Sequence, residues 1–148
     1  MYLPRTVDAA PFRAHFLHIC TCADAHWTVV AHHHNLPFPL IRQLLDVRPG
    51  HQIYRLTPQL ARRILAIRVA PLKQLRATSV PSRNACRAIR RLVDHGWTLP
   101  ALARTLTVPT HMLADVASGR SVVVNAYLDR QLAALVTPRA ERRTGTAA

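Results

Sequence analysis

Histidine and cysteine side chains, which can ligate metal ions, are concentrated in the first quarter of the chain. The cluster comprises His15, His18, Cys20, Cys22, His26 and the run 32–34. Four such ligands converging on one point would form a tetrahedral zinc site. The spacing argues against it, because Cys20 and Cys22 are two residues apart and side chains at that separation on a helix point in different directions. We therefore expect Cys20 to pack as a small core residue and no metal to bind here.

Motifs for catalysis are absent from the sequence. It has no nucleophile elbow, no phosphate-binding glycine loop and no paired-carboxylate motif, and its four glycines and seven acidic residues are few for an active site. The three cysteines are an odd number, and two of them are separated by one residue, which suits reduced thiols better than disulfides. We expect a protein that is not an enzyme and that needs no cofactor.

Basic side chains dominate the charge of the chain. Lysine and arginine number 20 against 7 aspartate and glutamate, for a formal net charge of +13. Such an excess favours a polyanionic partner, with nucleic acid the first candidate and an anionic membrane surface the second. No apolar run approaches the ~20 residues of a membrane span, and Asp8 and Arg13 interrupt the segment where a signal peptide would be apolar. We expect a cytoplasmic protein with no membrane partner.

An internal repeat supplies the elements that must position these side chains. At an offset of 72 residues, the segment 27–46 (WTVVAHHHNLPFPLIRQLLD) aligns with 99–118 (LPALARTLTVPTHMLADVAS). The helices that follow align at an offset of 68, so the loop after the aligned segment is four residues longer in the first copy. Thr57, Thr98 and Asn125 are suited to cap helices, and Gly96 to end one. Each copy is therefore predicted to form four short helices.

Within each copy, the aligned segment carries the pattern of two short helices crossing at a tight turn. Its fourth, eighth, tenth, fifteenth and eighteenth positions should be apolar, its fifth small, and its ninth tolerant of a positive φ. In the first copy the apolar positions are Val30, His34, Leu36, Ile41 and Leu44, the small position is Ala31, and the ninth position is Asn35. In the second copy the apolar positions are Leu102, Leu106, Val108, Leu113 and Val116, the small position is Ala103, and the ninth position is Thr107. Only His34, at an apolar position, and Thr107, where glycine is usual, depart from the pattern.

These segments resemble the λ-repressor-like helix-turn-helix superfamily, and more narrowly the paired helix-turn-helix proteins of GC-rich actinobacteria and their phages. The stretch HGWTLPALARTLTVP followed by SGR, from His95 to Arg120, carries most of the likeness. The resemblance covers residues 9–68 and 81–136 and implies binding to double-stranded DNA in a regulatory role. We predict an all-α fold with two tandem four-helix helix-turn-helix domains at 9–68 and 81–137, a linker at 69–80 and a basic, disordered tail at 138–148.

In this architecture the second helix of each pair enters the major groove, with its N-terminal residues facing the base edges. In the first copy its exposed face is predicted to carry Phe38, Pro39, Arg42, Gln43 and Asp46. Arg42 suits guanine or a phosphate, Gln43 suits adenine, and Phe38 suits a thymine methyl group. Arg48, which follows this helix, is placed for a phosphate, as is the Arg62-Arg63 pair.

The second copy has a different predicted contact face, which has no fixed positive charge and carries Thr110, His111, Ala114, Asp115 and Ser118. Asp115 would repel phosphate unless it accepts a hydrogen bond from a cytosine amino group. Arg120 and the basic stretch 83–91 are placed for phosphates. The two copies are therefore not equivalent in the contacts that they offer to DNA.

The leading hypothesis from the sequence is a sequence-specific transcriptional regulator, such as a phage-type repressor. Two alternatives stay open: one copy binds DNA while the other binds protein, or the chain is a nonspecific architectural DNA-binding protein. Two recognition helices in one chain could enter successive major grooves about 34 Å apart on a non-palindromic site. Alternatively, the second copy could pair with its counterpart in a homodimer on a palindromic site.

Overall fold

The structure is a computed structural model that describes the backbone of residues 5–146 and the side chains of residues 5–137. It is mostly helical, with 62% of the chain in helices and two small antiparallel sheets of two strands each. The prediction of a helical fold class is thus confirmed in its broad form. No helix in the described part of the chain combines the length and the apolar character needed to cross a membrane.

The chain divides into two compact units, Met1–Lys73 and Gln74–Ala148. The elements that begin in the first unit are β1 (Val7–Asp8), α1 (Ala10–Ala23), α2 (Trp27–His33), α3 (Phe38–Leu45), β2 (Arg55–Leu56), α4 (Pro58–Leu65) and α5 (Val69–Gln74). Those of the second unit are β3 (Ser79–Pro81), α6 (Arg83–Asp94), α7 (Leu99–Leu106), α8 (Thr110–Ala117), β4 (Val123–Asn125) and α9 (Ala126–Thr146). The order strand, three helices, strand, helix therefore occurs in both units.

In the first unit, α1 packs against α2 and α4, and α2 packs against α3. The core between them is aliphatic and aromatic, with Phe16, Ile41 and Ile64 fully buried. Burial of such side chains is the main force that holds short helices together, since helices of this length are marginal on their own. The guanidinium of Arg13, on α1, donates hydrogen bonds to the carbonyl oxygens of Leu44 and Ile53, and so holds the C-terminal end of α3 and the loop after it.

The second unit has a continuous core of its own, in which α6 packs against α8 and α9, and α7 packs against α8. The apolar side chains of α6 that enter it recur at the helical spacing and are Ala85, Ile89 and Leu92. Leu128 and Leu132 of α9 lie in the same core. Helix α9 therefore packs mainly against α6.

Three of the predicted helix caps are confirmed. The Thr57 and Thr98 hydroxyls and the Asn125 side-chain oxygen accept hydrogen bonds from the backbone N–H groups three residues later, at 3.3, 3.2 and 2.7 Å. Gly96 has a φ of 100° after the end of α6, as the predicted C-terminal glycine requires. The longer loop of the first unit is also confirmed: it runs from 46 to 54, against 118–122 in the second unit.

The two small sheets are not among the elements that the sequence predicts. In the first, Val7 pairs with Leu56 and Asp8 with Arg55; in the second, Val80 pairs with Val124. The segment 69–80, predicted as a linker, instead contains α5 and the start of β3, and its Leu72 is buried. Helix α9 extends to Thr146, into the segment 138–148 for which the sequence predicts a disordered tail, and the side chains of that segment lie outside the described residues.

Candidate nucleic-acid interface

Two helix pairs, α2–α3 and α7–α8, carry the predicted contact residues, and each pair is joined by a short turn. Asn35 lies in the first turn with a φ of 53°, and Thr107 in the second with a φ of 57°. Both are in the left-handed region that the ninth position of the pattern was predicted to need. Ala31 and Ala103, at the small position, are buried, so each second helix can approach its first helix closely.

The apolar positions of the pattern are buried, with two exceptions. Val30, Leu36, Ile41 and Leu44 form this set in the first unit, and Leu102, Leu106, Leu113 and Val116 in the second. Val108 is half-buried and packs against the edge of the core. His34 is also half-buried, and burial lowers the pKa of its imidazole, with the charges of His33 and Arg63 adding to the effect. His34 is therefore favoured in its neutral form, which suits an apolar position.

The last helix of each repeat holds the turn in place through a side-chain contact that the sequence does not predict. Arg63, on α4, donates to the carbonyl oxygens of His34 and Asn35 at 3.1 and 2.6 Å. In the second unit, Gln131 donates through Nε2 to the carbonyl of Leu106 at 3.5 Å. Gln131 corresponds to Arg63 at the offset of 68, and Leu106 to His34 at the offset of 72, so the repeat offsets contained the signal. Arg63, predicted to be placed for a phosphate, is engaged within its own unit.

Of the five residues predicted for the contact face of α3, Pro39, Arg42 and Gln43 are exposed, and Asp46, just beyond the helix, is half-buried. No hydrogen bond or ion pair joins the Arg42 or Gln43 side chain to another described residue, so their donors and acceptors face solvent. The prediction for Phe38 is wrong: it is only 4% exposed, and its ring packs edge-on against Trp27 with the centroids 5.8 Å apart. Its spacing from Ile41 and Leu44 places it on the buried face of α3.

Arg48 is exposed, as predicted, but its guanidinium is paired with Asp46. Nη2 lies 2.7 Å from one carboxylate oxygen and Nε lies 3.0 Å from the other, and the Arg48 backbone N–H donates to the same carboxylate at 2.9 Å. These hydrogen bonds hold the pKa of Asp46 well below its ordinary value. The end of α3 therefore offers a neutralised pair rather than a free cation.

Helix α8 exposes Thr110 and His111, and Ser118 just after it is also exposed, while Asp115 is half-buried. None of its residues is an arginine or a lysine, and Met112 is among those that it exposes. The Ser118 hydroxyl donates to the backbone carbonyl oxygen of Asp115 at 3.2 Å, and not to the Asp115 carboxylate. Arg120 lies just beyond the helix and is exposed. The two predicted contact faces therefore differ in charge, since α3 exposes Arg42 whereas α8 has no arginine or lysine.

The histidine and cysteine cluster is distributed over α1 and α2. Among the described residues, no group of three or more potential ligands is close enough to hold a metal ion. Cys22 Sγ lies 3.4 Å from His18 Nε2 on the surface of α1, whereas burial raises the pKa of Cys20 to about 11. His26 has a structural role, since its Nδ1 accepts a hydrogen bond from the Thr28 backbone N–H at the start of α2. It corresponds to the capping residue Thr98 at the offset of 72.

Comparison with known proteins yields no match for this chain among protein-family models, curated proteins or solved structures.

Proposed function

We propose that each unit is a four-helix, helix-turn-helix DNA-binding domain of the λ-repressor-like superfamily. On this proposal the chain is a sequence-specific, double-stranded DNA-binding regulator of transcription that has no enzymatic activity. The observation that carries the proposal is the geometry of the two turns. Each combines a left-handed residue at the ninth position, a buried alanine at the fifth and a short second helix with an exposed face.

The two units contribute unequally on this proposal. Helix α3 carries Arg42, whose planar guanidinium matches guanine O6 and N7, and Gln43, whose amide matches adenine N6 and N7. Both side chains are exposed and point away from the core. Helix α8 offers only the neutral Thr110 and the imidazole of His111 at its N-terminal end. The first unit is therefore the one assigned to sequence-specific contacts.

Selection of bound sites from random duplex DNA at physiological salt tests this function directly. We expect an enriched sequence, and we expect Arg42→Ala to lower affinity for it while relaxing the preference at a G·C pair. A bidentate arginine–guanine contact contributes about 1–3 kcal/mol of discrimination, so the preference at that pair should fall by roughly 5-fold to 150-fold. Arg68→Ala is the matched control, because Arg68 is an exposed arginine of the same unit that lies outside α3.

Asp115→Ala gives the complementary result for the second unit, where removal of a negative charge should leave affinity unchanged or raise it. Loss of binding in Asp115→Ala with no effect of Arg42→Ala would mean that the roles of the two units are reversed. Failure to enrich any sequence, with binding retained, would favour the architectural DNA-binding protein instead.

A second candidate function is favoured by the surface of α8, which lacks positive charge and exposes Met112. On that alternative the second unit binds protein, and a second copy of this chain is the simplest partner. Footprinting with a measured stoichiometry separates the two. One chain on an asymmetric site supports two DNA-binding units, and two chains on an inverted repeat support a dimerisation unit.

A further inference from the structure

Helix α6 carries a continuous stripe of arginines on its outer face. Arg83, Arg87, Arg90 and Arg91 are all exposed, and their spacing places them on one side of the helix, opposite the buried Ala85, Ile89 and Leu92. The stripe covers about 12 Å of helix axis at 1.5 Å per residue. The only acidic residue of α6 is Asp94, which lies on the same face at the last position.

Three of the four arginines of the stripe make no polar contact that would hold the second unit together. Arg83, Arg87 and Arg91 form no hydrogen bond or ion pair with the described residues. Like charges four residues apart destabilise a helix, and a cation in the first turn opposes the helix dipole, as at Arg83. The stripe therefore weakens α6 in the isolated protein, and a polyanion bound to it would remove that repulsion.

The position of the stripe relates it to α8. Arg90 Nη2 donates to the carbonyl oxygen of Ala117, the last residue of α8, at 3.3 Å. Arg120 follows three residues later and is also exposed. The arginine stripe of α6 and Arg120 thus both lie beside the C-terminal end of α8, a helix that has no arginine or lysine of its own.

The repeat makes the stripe specific to the second unit. At the offset of 72, the four arginines correspond to Pro11, His15, His18 and Ile19 of α1, none of which carries a fixed charge. The first unit instead has an exposed arginine, Arg42, on the second helix of its pair, where α8 has none. The two units therefore differ in which helices carry exposed arginines.

The geometry points to α6 as a binding surface for the phosphate backbone of duplex DNA, so that the second unit supplies sequence-independent affinity. This inference rests on the proposed DNA-binding function and adds to it the surface on which the second unit meets DNA. Duplex DNA carries one charge per about 1.7 Å of its axis, so a stripe about 12 Å long lies opposite several phosphates. Arginine donors on a helix face fix the position of a protein on DNA without distinguishing bases.

The test measures affinity of the full chain for a random-sequence duplex between ~50 and ~200 mM salt, by fluorescence anisotropy. The variant Arg83→Gln/Arg87→Gln/Arg91→Gln removes three charges and keeps Arg90, which contacts Ala117. The logarithm of the binding constant falls with the logarithm of the salt concentration by about 0.9 per phosphate contact. We therefore expect this slope to be shallower by about 2.7 in the variant. The fourfold rise in salt should then cost the variant about 40-fold less affinity than it costs the wild type.

The charge-matched control is Arg68→Gln/Lys73→Gln/Arg104→Gln, which removes three exposed basic side chains from outside α6. An equal flattening in both triple variants, or none in the α6 variant, overturns the inference while leaving DNA binding intact. The replacements Arg83→Lys, Arg87→Lys and Arg91→Lys together should retain the wild-type slope, and loss of slope there also overturns it.

Circular dichroism checks that each variant keeps its helix content. If the triple glutamine variant does not fold, Arg87→Gln alone should flatten the slope by about one, and an unchanged slope overturns the inference. A wild-type chain that binds no duplex DNA at any salt, whether or not it binds anionic vesicles, instead removes the proposed function itself.

Discussion

Thr107 provides the most direct test of the turn geometry on which the proposed function depends. It has a φ of 57° and a ψ of 49°, and it is exposed, with no hydrogen bond from its hydroxyl to another described residue. A left-handed conformation costs an L-residue about 1–2 kcal/mol, whereas glycine adopts it freely. Glycine also loses about 0.5–1 kcal/mol more on folding, through its greater freedom in the unfolded chain. Thr107→Gly should therefore stabilise the second unit by roughly 0.5–1 kcal/mol.

The matched control is Thr105→Gly, two residues earlier and inside α7. Thr105 is also exposed, but it is helical and its hydroxyl donates to the Ala101 carbonyl at 3.0 Å. The same substitution there should destabilise the unit by a few tenths of a kcal/mol, because glycine is a poorer helix former than threonine. The two changes have opposite expected signs, although they exchange the same side chains within one turn of chain.

Urea unfolding followed by Trp97 fluorescence measures both effects in the second unit. Trp97 packs against the core of that unit, and a Trp27→Phe background removes the other tryptophan. A stabilisation of 1 kcal/mol corresponds to a rise of about 4–8 °C in the melting temperature of a domain of this size. If Thr107→Gly destabilises the unit as Thr105→Gly does, Thr107 is not left-handed and the turn is not that of a helix-turn-helix.

Three further predictions follow from side-chain contacts in the first unit. Arg63→Ala should lower its stability by about 1–3 kcal/mol, since it removes charge-assisted hydrogen bonds to the turn, whereas Arg62→Ala should have little effect; urea unfolding of the two variants compares them. Burial lowers the pKa values of His26 and His34, so the unfolded chain takes up protons before the folded chain as the pH falls below about 6.5. Thermal unfolding should therefore show the first unit losing stability from pH 8 to pH 5. The variant His26→Asn, which keeps a capping side chain, should weaken that pH dependence. Asp46→Asn should free Arg48 from its ion pair and raise affinity for duplex DNA in an anisotropy titration, with a salt dependence steeper by about one. If its gain in affinity is no larger than that of Asp24→Asn, the Asp46–Arg48 pair does not withhold Arg48 from DNA.

The features that the sequence predicts well are those set by a few neighbouring residues. The left-handed turn at Asn35 and the cap at Asn125 follow from the backbone preferences and short side chain of asparagine, which act over three or four residues. The burial of Leu113 and Val116 follows from helical spacing in the same way. Such local preferences survive folding because the tertiary structure of each unit agrees with them.

The features that the sequence analysis missed depend on pairing between distant residues or on very short elements. Val7 pairs with Leu56 across 49 residues of chain, and strands of two or three residues are too short to show an alternating pattern. Helix α5 has six residues and includes Pro71, so it resembles a linker. The helix-turn-helix pattern predicts Phe38 on the DNA-contact face of α3, whereas its spacing of three residues from the buried Ile41 predicts a core position.

The distribution of arginine in the two units leads to a final consequence of the proposals. If α3 supplies base contacts and α6 supplies phosphate contacts, sequence preference and sequence-independent affinity belong to different units of one chain. Changes at Arg42 or Gln43 should then alter which DNA sequences are selected. They should change the salt dependence of binding by no more than the loss of one charge would. Changes at Arg83, Arg87 and Arg91 should flatten the slope for all sequences alike and leave the selected sequence unchanged. A single surface that served both purposes would not allow the two properties to be changed separately.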